Sequence, residues 1–131
     1  MFADQHMTQK SEIGKLGEDL ACEYLIKKGY RVLERNFRKP WGELDIVAKY
    51  KDGTLVIVEV KTMRENPSLS PEDNLTKAKL EKLKRTALLY AGSKQELLRD
   101  KKGWRIDLIA VSISNLTNIT DNYLVSHYEN I

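Results

Sequence analysis

The sequence predicts an α/β domain: a mixed β-sheet with helices packed on its faces. Three observations predict it. Two long stretches, from Ser11 to Lys28 and from Ser70 to Ala91, carry apolar residues at helical spacing. Shorter stretches rich in Val, Ile, Tyr and Phe are bounded by Gly, Pro, Asn or Asp, as strands are. The order is helix, three strands, helix, strand, and its simplest solution is one sheet covered on both sides.

Each element has its own signal. Ser11 is an N-cap candidate, and Ile13, Leu16, Leu20, Ala21, Tyr24 and Leu25 follow it at helical spacing until Gly29. Gly14 and Gly17 cost up to ~1 kcal/mol each inside a helix, so they predict close packing or room kept for a ligand. Tyr30 to Phe37 reads as a strand, broken by Pro40, Trp41 and Gly42. Residues 42–62, GELDIVAKYKDGTLVIVEVKT, read as a hairpin. Met63 to Asn74 reads as a loop. Ser70-Pro71-Glu72-Asp73 has the cap, proline and acids of a helix start, and that helix runs to about Ala91 before Gly92. A short polar helix is expected in Lys94 to Lys101, a strand at Trp104 to Ile113, and a further strand in Ile119 to Tyr128.

Composition narrows the class. The chain has 131 residues, enough for a single domain with a real core. Residues 1–10 are expected to be loose and 11–131 to form that domain. The 22 basic and 19 acidic residues leave a net charge of +3, a weak pointer to an anionic partner. Cys22 is the only cysteine, which excludes an internal disulfide and suits a reducing cytoplasm. Every apolar run falls short of the ~20 residues of a bilayer span, and residues 1–10 lack a signal-peptide core, so no membrane is expected.

The hairpin poses the chemical question, because Glu43, Asp45, Glu59 and Lys61 interrupt two otherwise apolar strands. A two-residue turn at Asp52-Gly53 would pair Ile46 with Glu59 and turn Asp45 away from it. A three-residue loop, Lys51-Asp52-Gly53, with glycine in the left-handed position, is preferred. It pairs Tyr50 with Thr54, Val47 with Ile57, Asp45 with Glu59 and Glu43 with Lys61. Paired residues have Cβ atoms ~4.5–5.5 Å apart, so two carboxylates there need a proton, a lysine or a cation between them. Mg²⁺ or Mn²⁺ suits them best, with Asp45, Glu59 and the backbone carbonyl of Val60 as oxygen donors. Lys61, ~6.6 Å along the strand from Glu59, would then hold an attacking water and balance phosphate charge. These are the parts a phosphodiester hydrolase requires.

Asp45, then Glu59-Val60-Lys61 after thirteen residues, resembles the PD-(D/E)xK signature of restriction-endonuclease-like nucleases, with Leu44 in place of the signature's proline. Gly14-x-x-Gly17-Glu18-x-x-Ala21-x-x-Tyr24-Leu25, Gly29-Tyr30, Asn36-Phe37-Arg38, Gly42 to Ala48 and Val58 to Thr62 resemble the YraN family. Lys79, Leu83 and Ala87, and Arg105-Ile106-Asp107, also fit that family. These are small bacterial proteins similar to archaeal Holliday-junction resolvases. The resemblance spans about residues 11–113. It implies a restriction-endonuclease-like fold and a Mg²⁺- or Mn²⁺-dependent endonuclease acting on DNA rather than RNA, branched DNA included. The alternative is a nucleic-acid-binding module of the same fold that does not cut. A resolvase-type activity would call for two sites in a homodimer. The family often carries Arg two places after the lysine, where this chain has Met63 and then Arg64.

The remaining residues have two readings each. By pattern alone Glu18 is a solvated helix glutamate; the resemblance to resolvases implies that it completes the acidic cluster. Glu43 either supports the site from behind or pairs with Lys61. Lys79 either lays its stem over the core edge or reaches phosphate. Trp41 either packs or stacks on a base. Arg38, Lys39 and Arg64 are candidate phosphate contacts. Arg105 and Asp107 are expected to pair structurally, Cys22 to pack, and His6 and His127 to have no chemical role.

Overall fold

The computed structural model describes residues 5–64, 75–98, 102–114 and 123–131, with the backbone alone for 5–11 and 98. Helix α1 (Gln5–Lys27) leads into β1 (Arg31–Lys39), β2 (Gly42–Lys49) and β3 (Leu55–Arg64). Helix α2 (Lys77–Ser93) and a 3₁₀ turn (Gln95–Leu98) follow, then β4 (Trp104–Ile113) and β5 (Tyr123–Tyr128). The five strands lie in sequence order in one mixed sheet. β3 and β4 are parallel, and the other neighbouring pairs are antiparallel. A parallel pair needs a long crossover, and α2 belongs to it. No helix among the described residues is long and apolar enough to cross a membrane.

α1 stops where its sequence requires. Gly29 adopts φ +94°, and Tyr30 N–H donates to Leu25 O and Gly29 N–H to Ile26 O, both within 3.1 Å. This is the paired bond pattern of a glycine-terminated helix. The start differs from expectation: α1 begins at Gln5, so Ser11 is inside the helix. Residues 5–10 contain no Gly or Pro to stop the helix extending back. α2 likewise begins at Lys77, with Thr76 as its cap accepting the Lys79 N–H at 3.2 Å. The expected start at Ser70 lies outside the described residues. Gly92 falls inside α2, whose last N–H bonds come from Lys94.

Two apolar layers cover the sheet. On one face Leu20, Ala21 and Leu25 of α1 pack on Ile46, Val56, Val58 and Ile109. On the other, Leu83, Ala87 and Tyr90 of α2 pack on Val47, Leu55 and Ile57. Central strands covered on both faces read as unbroken apolar runs, which accounts for Leu55 to Val58. Cys22 is buried in the α1 layer, as expected. α1 approaches β3 closely: a Cβ on Gly17 would overlap the Thr62 hydroxyl. Gly14 has nothing within 4 Å of an added Cβ and opens instead onto a hollow.

Candidate active site

The hairpin loop sets the register. Gly53 takes φ +98°, Gly53 N–H donates to Tyr50 O at 2.9 Å, and Tyr50 N–H donates to Thr54 O at 2.9 Å. Asp52 Oδ1 accepts the Thr54 N–H at 2.9 Å. Val47 pairs with Ile57 and Ile46 with Val58, as the three-residue loop predicts. The ladder then ends, so Asp45 with Glu59 and Glu43 with Lys61 do not form the expected strand pairs.

The reason lies in Asp45 itself. Its Oδ2 accepts the Val60 N–H at 2.9 Å. By the alternation of an antiparallel ladder, that N–H would otherwise face the Leu44 carbonyl. The carboxylate has entered the seam and the strands part around it. Face alternation slips at the same place: Leu44 packs with the α2 layer and Ile46 with the α1 layer. The Val60 carbonyl points to the same side as its N–H, into this seam.

The carboxyls still meet. Burial pushes the Glu59 carboxyl up to about 9, reinforced by its hydrogen bond to Asp45 and the Asp45 charge. Lys61 opposes the rise and Glu43 adds to it. Burial and the Asp45 carboxylate thus favour the neutral form of Glu59, and the Lys61 charge opposes them.

Glu18 lies on α1 within electrostatic reach of Asp45, next to Gly17, where the helix approaches Thr62 closely. Its Oε1 is buried with no hydrogen-bond partner. Burial raises its carboxyl first, then the Asp45 charge, while Arg35 and Arg38 pull it down. Arg35 itself binds Asp19 at 2.7 Å. Asp45 thus lies within electrostatic reach of both Glu18 and Glu59, Lys61 and Glu43 act on Glu59, and Arg38 acts on Glu18. Glu43 is exposed and pairs across the strands with Arg38. Lys39 is exposed at the end of β1, and Trp41 is 44% exposed in the turn after it. Arg64, at the end of β3, and Lys79, in the first turn of α2, are also exposed, and neither is among the groups that shift Glu18 or Glu59.

The donor set can be weighed for a cation. Among the described residues no three His, Cys, Asp or Glu side chains are grouped so as to hold a metal ion. The donors that fit are the two carboxyls of Asp45 and Glu59 with the Val60 carbonyl, and the orphaned Glu18 Oε1 faces the same charge. Hard oxygen donors of this kind suit Mg²⁺ or Mn²⁺.

Two features were not legible beforehand. Arg35 acts on Glu18, which only the packing of α1 on β1 reveals. His127 is not idle: Nε2 lies 2.7 Å from Asp107 Oδ2 and Nδ1 lies 3.1 Å from Tyr24 Oη. Arg105 binds the same Asp107 at 2.9 Å, the expected pair, and also Tyr30 Oη at 2.8 Å. The Asn130 N–H donates to Asp107 as well, at 3.0 Å. Burial pushes the fully buried Asp107 up, but these bonds outweigh it and hold its carboxyl below the ordinary range. The network ties β5 and the chain end to α1.

Fold and hairpin together define an α/β protein of the restriction-endonuclease-like superfamily. Residues 17–111 match the Uncharacterised protein family UPF0102, the YraN family, and the chain belongs to it. A UPF0102 protein of Thermodesulfovibrio yellowstonii is 41% identical over 113 residues, 86% of this chain and 96% of that one. One of Syntrophomonas wolfei is 51% identical over 82 residues, 63% of this chain and 70% of that one. Among solved structures, Pyrococcus furiosus SfsA in complex with Ca²⁺ is 15% identical with a TM-score of 0.35. That likeness covers 95% of this chain and 63% of the other, and is too slight to carry an argument.

Proposed function

We propose that this protein is a metal-dependent endonuclease that hydrolyses phosphodiester bonds of DNA, branched DNA included, in the cytoplasm. The observation that carries the reading is the Asp45 carboxylate seated on the Val60 N–H in the parted seam, within electrostatic reach of Glu59, whose carboxyl also feels Lys61. Asp45, Glu59 and the Val60 carbonyl would hold Mg²⁺ or Mn²⁺. When bound, the ion would polarise the phosphoryl oxygen and acidify a water. The chain's own groups have separate tasks. Glu59, whose carboxyl burial and Asp45 raise, would release any proton to solvent to serve as a ligand. Lys61 donates hydrogen bonds to the attacking water and balances the charge that grows on the phosphate. Glu18 Oε1 accepts a hydrogen bond from water at the site. Arg38 anchors a neighbouring phosphate. Symmetric cleavage of a four-way junction would need two such sites, and so a homodimer.

A second reading, a nucleic-acid-binding module that does not cut, is favoured by one observation: the described residues hold no ready-made group of three acidic, His or Cys ligands. One experiment separates the two. Purified protein is incubated with linear, flapped and four-way DNA, with Mn²⁺ or with EDTA. The endonuclease reading predicts cleavage with Mn²⁺, none with EDTA and none for Asp45→Asn. Binding to DNA without cleavage of any substrate in any divalent metal would favour the module.

A further inference from the structure

A groove of about 930 Å³ lies where the end of β1 meets the C-terminal half of α2. It is at the upper end of the ~300–1,000 Å³ range of small-ligand pockets. Its apolar wall is Phe37, Trp41 and Leu89, and Trp41 and Leu89 are 44% and 48% exposed. Phe37 holds the tryptophan from behind, with ring centroids 5.9 Å apart, and packs edge-on against Tyr90 at 5.0 Å. Arg38, Lys39 and Lys94 supply cations at the rim. The acid among the lining residues, Glu34, is engaged by the Tyr90 hydroxyl at 2.9 Å.

The groove adjoins a second hollow that reaches Glu18. Asn36 and Arg38 also line the hollow that holds Gly14, Lys15, Arg35 and Glu18 on the α1 side. β1 is an edge strand, and Asn36 within it takes φ +53°, so the chain is locally bent where the two hollows join. A path therefore runs from Trp41, over the sheet edge, to Glu18 beside Asp45.

We propose that this groove binds an unpaired DNA strand leading to the carboxyl cluster, with a base stacked on Trp41 and phosphates on Arg38, Lys39 and Lys94. The proposal deepens the endonuclease reading by naming its substrate class, DNA with a single-stranded arm. Charge complementarity and an exposed aromatic together select this occupant. A base inside a duplex offers no free face to Trp41, whereas an unpaired base does.

The test is made without metal, so that binding is read apart from cutting. Fluorescence anisotropy in EDTA compares a labelled 12-nucleotide single strand with a blunt duplex of the same length at fixed salt. Wild type should prefer the single strand. Trp41→Ala should weaken single-strand binding roughly 5- to 150-fold, the range set by losing one base–aromatic stack. Trp41→Phe should retain most of the affinity, and circular dichroism confirms that both variants fold. Arg38→Ala should reduce the slope of log affinity against log salt by about 0.7, one phosphate's worth on a single strand, while Trp41→Ala leaves it unchanged. Equal single-strand affinity for wild type and Trp41→Ala overturns the proposal. So does a wild-type dimer that Trp41→Ala turns into a monomer, because a second copy would then cover the groove. Trp41-dependent single-strand binding in a protein that cuts nothing would sustain the groove and sink the endonuclease. Cleavage by a Trp41→Ala variant of unchanged affinity would do the reverse.

Discussion

Gly14→Ala and Gly17→Ala are the same chemical change one helical turn apart, and they should have opposite effects. In a helix interior, alanine is better than glycine by roughly 0.5–1 kcal/mol. At Gly14 an added methyl meets nothing within 4 Å, so this gain should appear undiminished. At Gly17 it would overlap the Thr62 hydroxyl and approach Thr62 Cβ to 2.9 Å and Cγ2 to 3.0 Å. Carbon pairs prefer ~3.5–4.0 Å, and Thr62 cannot retreat because its backbone is paired with Val111 in β4. α1 must lift instead. Overpacking of this kind costs about 1–3 kcal/mol, which leaves a net loss of ~0–2.5 kcal/mol after the helix gain. In a chain of 131 residues each kcal/mol moves Tm by roughly 3–6 °C. Thr62→Ala removes the hydroxyl and methyl that collide, so the double variant should recover, with a coupling energy of about 1–2 kcal/mol. Urea denaturation of the four proteins of that cycle, with Gly14→Ala as the control, measures it. A Gly17→Ala protein as stable as Gly14→Ala would refute the close approach that sets Glu18 beside Asp45.

Three further outcomes follow from the buried charges. Glu59 is raised from 4.5 to about 9 on folding, so its contribution to stability is complete below pH ~4.5 and is lost as pH climbs to about 9. Metal-free wild type should lose up to about 1.4 kcal/mol per pH unit between pH 6 and 8, and Glu59→Gln, which keeps the bond to Asp45, should be flatter. Parallel slopes would mean that Glu59 does not hold that proton. A divalent ion that binds only the folded state should raise Tm, by about 2.7 kcal/mol of stability at a hundredfold excess over Kd. Asp45→Asn should abolish the rise, and a wild-type Tm indifferent to millimolar Mn²⁺ would contradict the donor set. Asp107→Ala strands Arg105 and His127 and should cost about 3–5 kcal/mol in urea denaturation. A cost below ~1 kcal/mol would show that the network holds nothing together.

How far the sequence reveals this molecule depends on the range of the forces involved. The Lys51-Asp52-Gly53 loop, preferred for its glycine in the left-handed position, sets the register observed, although Asp52-Gly53 alone also suits a two-residue turn with another register. Trp104 to Ile113 is bounded by Gly103 and Ser114, and the strand occupies that span. The departure at Asp45 is different in kind. Period-two alternation places its carboxylate opposite Glu59, but the side chain takes the Val60 N–H and opens the seam, a choice between side chain and ladder that no periodicity encodes. Glu18 is similar: its pattern is that of a solvated helix residue, and the burial of its Oε1 comes from the packing of α1 on the sheet. His127 gains its partners through the pairing of β5 with β4, which brings Asp107 from 20 positions away, and the packing of α1, which brings Tyr24 from 103. Ser11 does not mark the start of α1, which begins at Gln5, because a serine caps a helix only where the chain before it leaves the helix.

The central claim is that Lys61 acts on charge developing at a phosphate, and single-turnover cleavage by Lys61→Ala tests it most directly. The assay uses the DNA that wild type cuts, with Mn²⁺, and measures DNA affinity at the same salt. In the proposed reading lysine is not a metal ligand, and the phosphate contacts would be spread over Arg38, Lys39 and other cations. Cleavage should therefore fall by ~10²–10³, while affinity changes by about one phosphate contact. A Lys61→Ala protein that cuts at the wild-type rate would contradict the account.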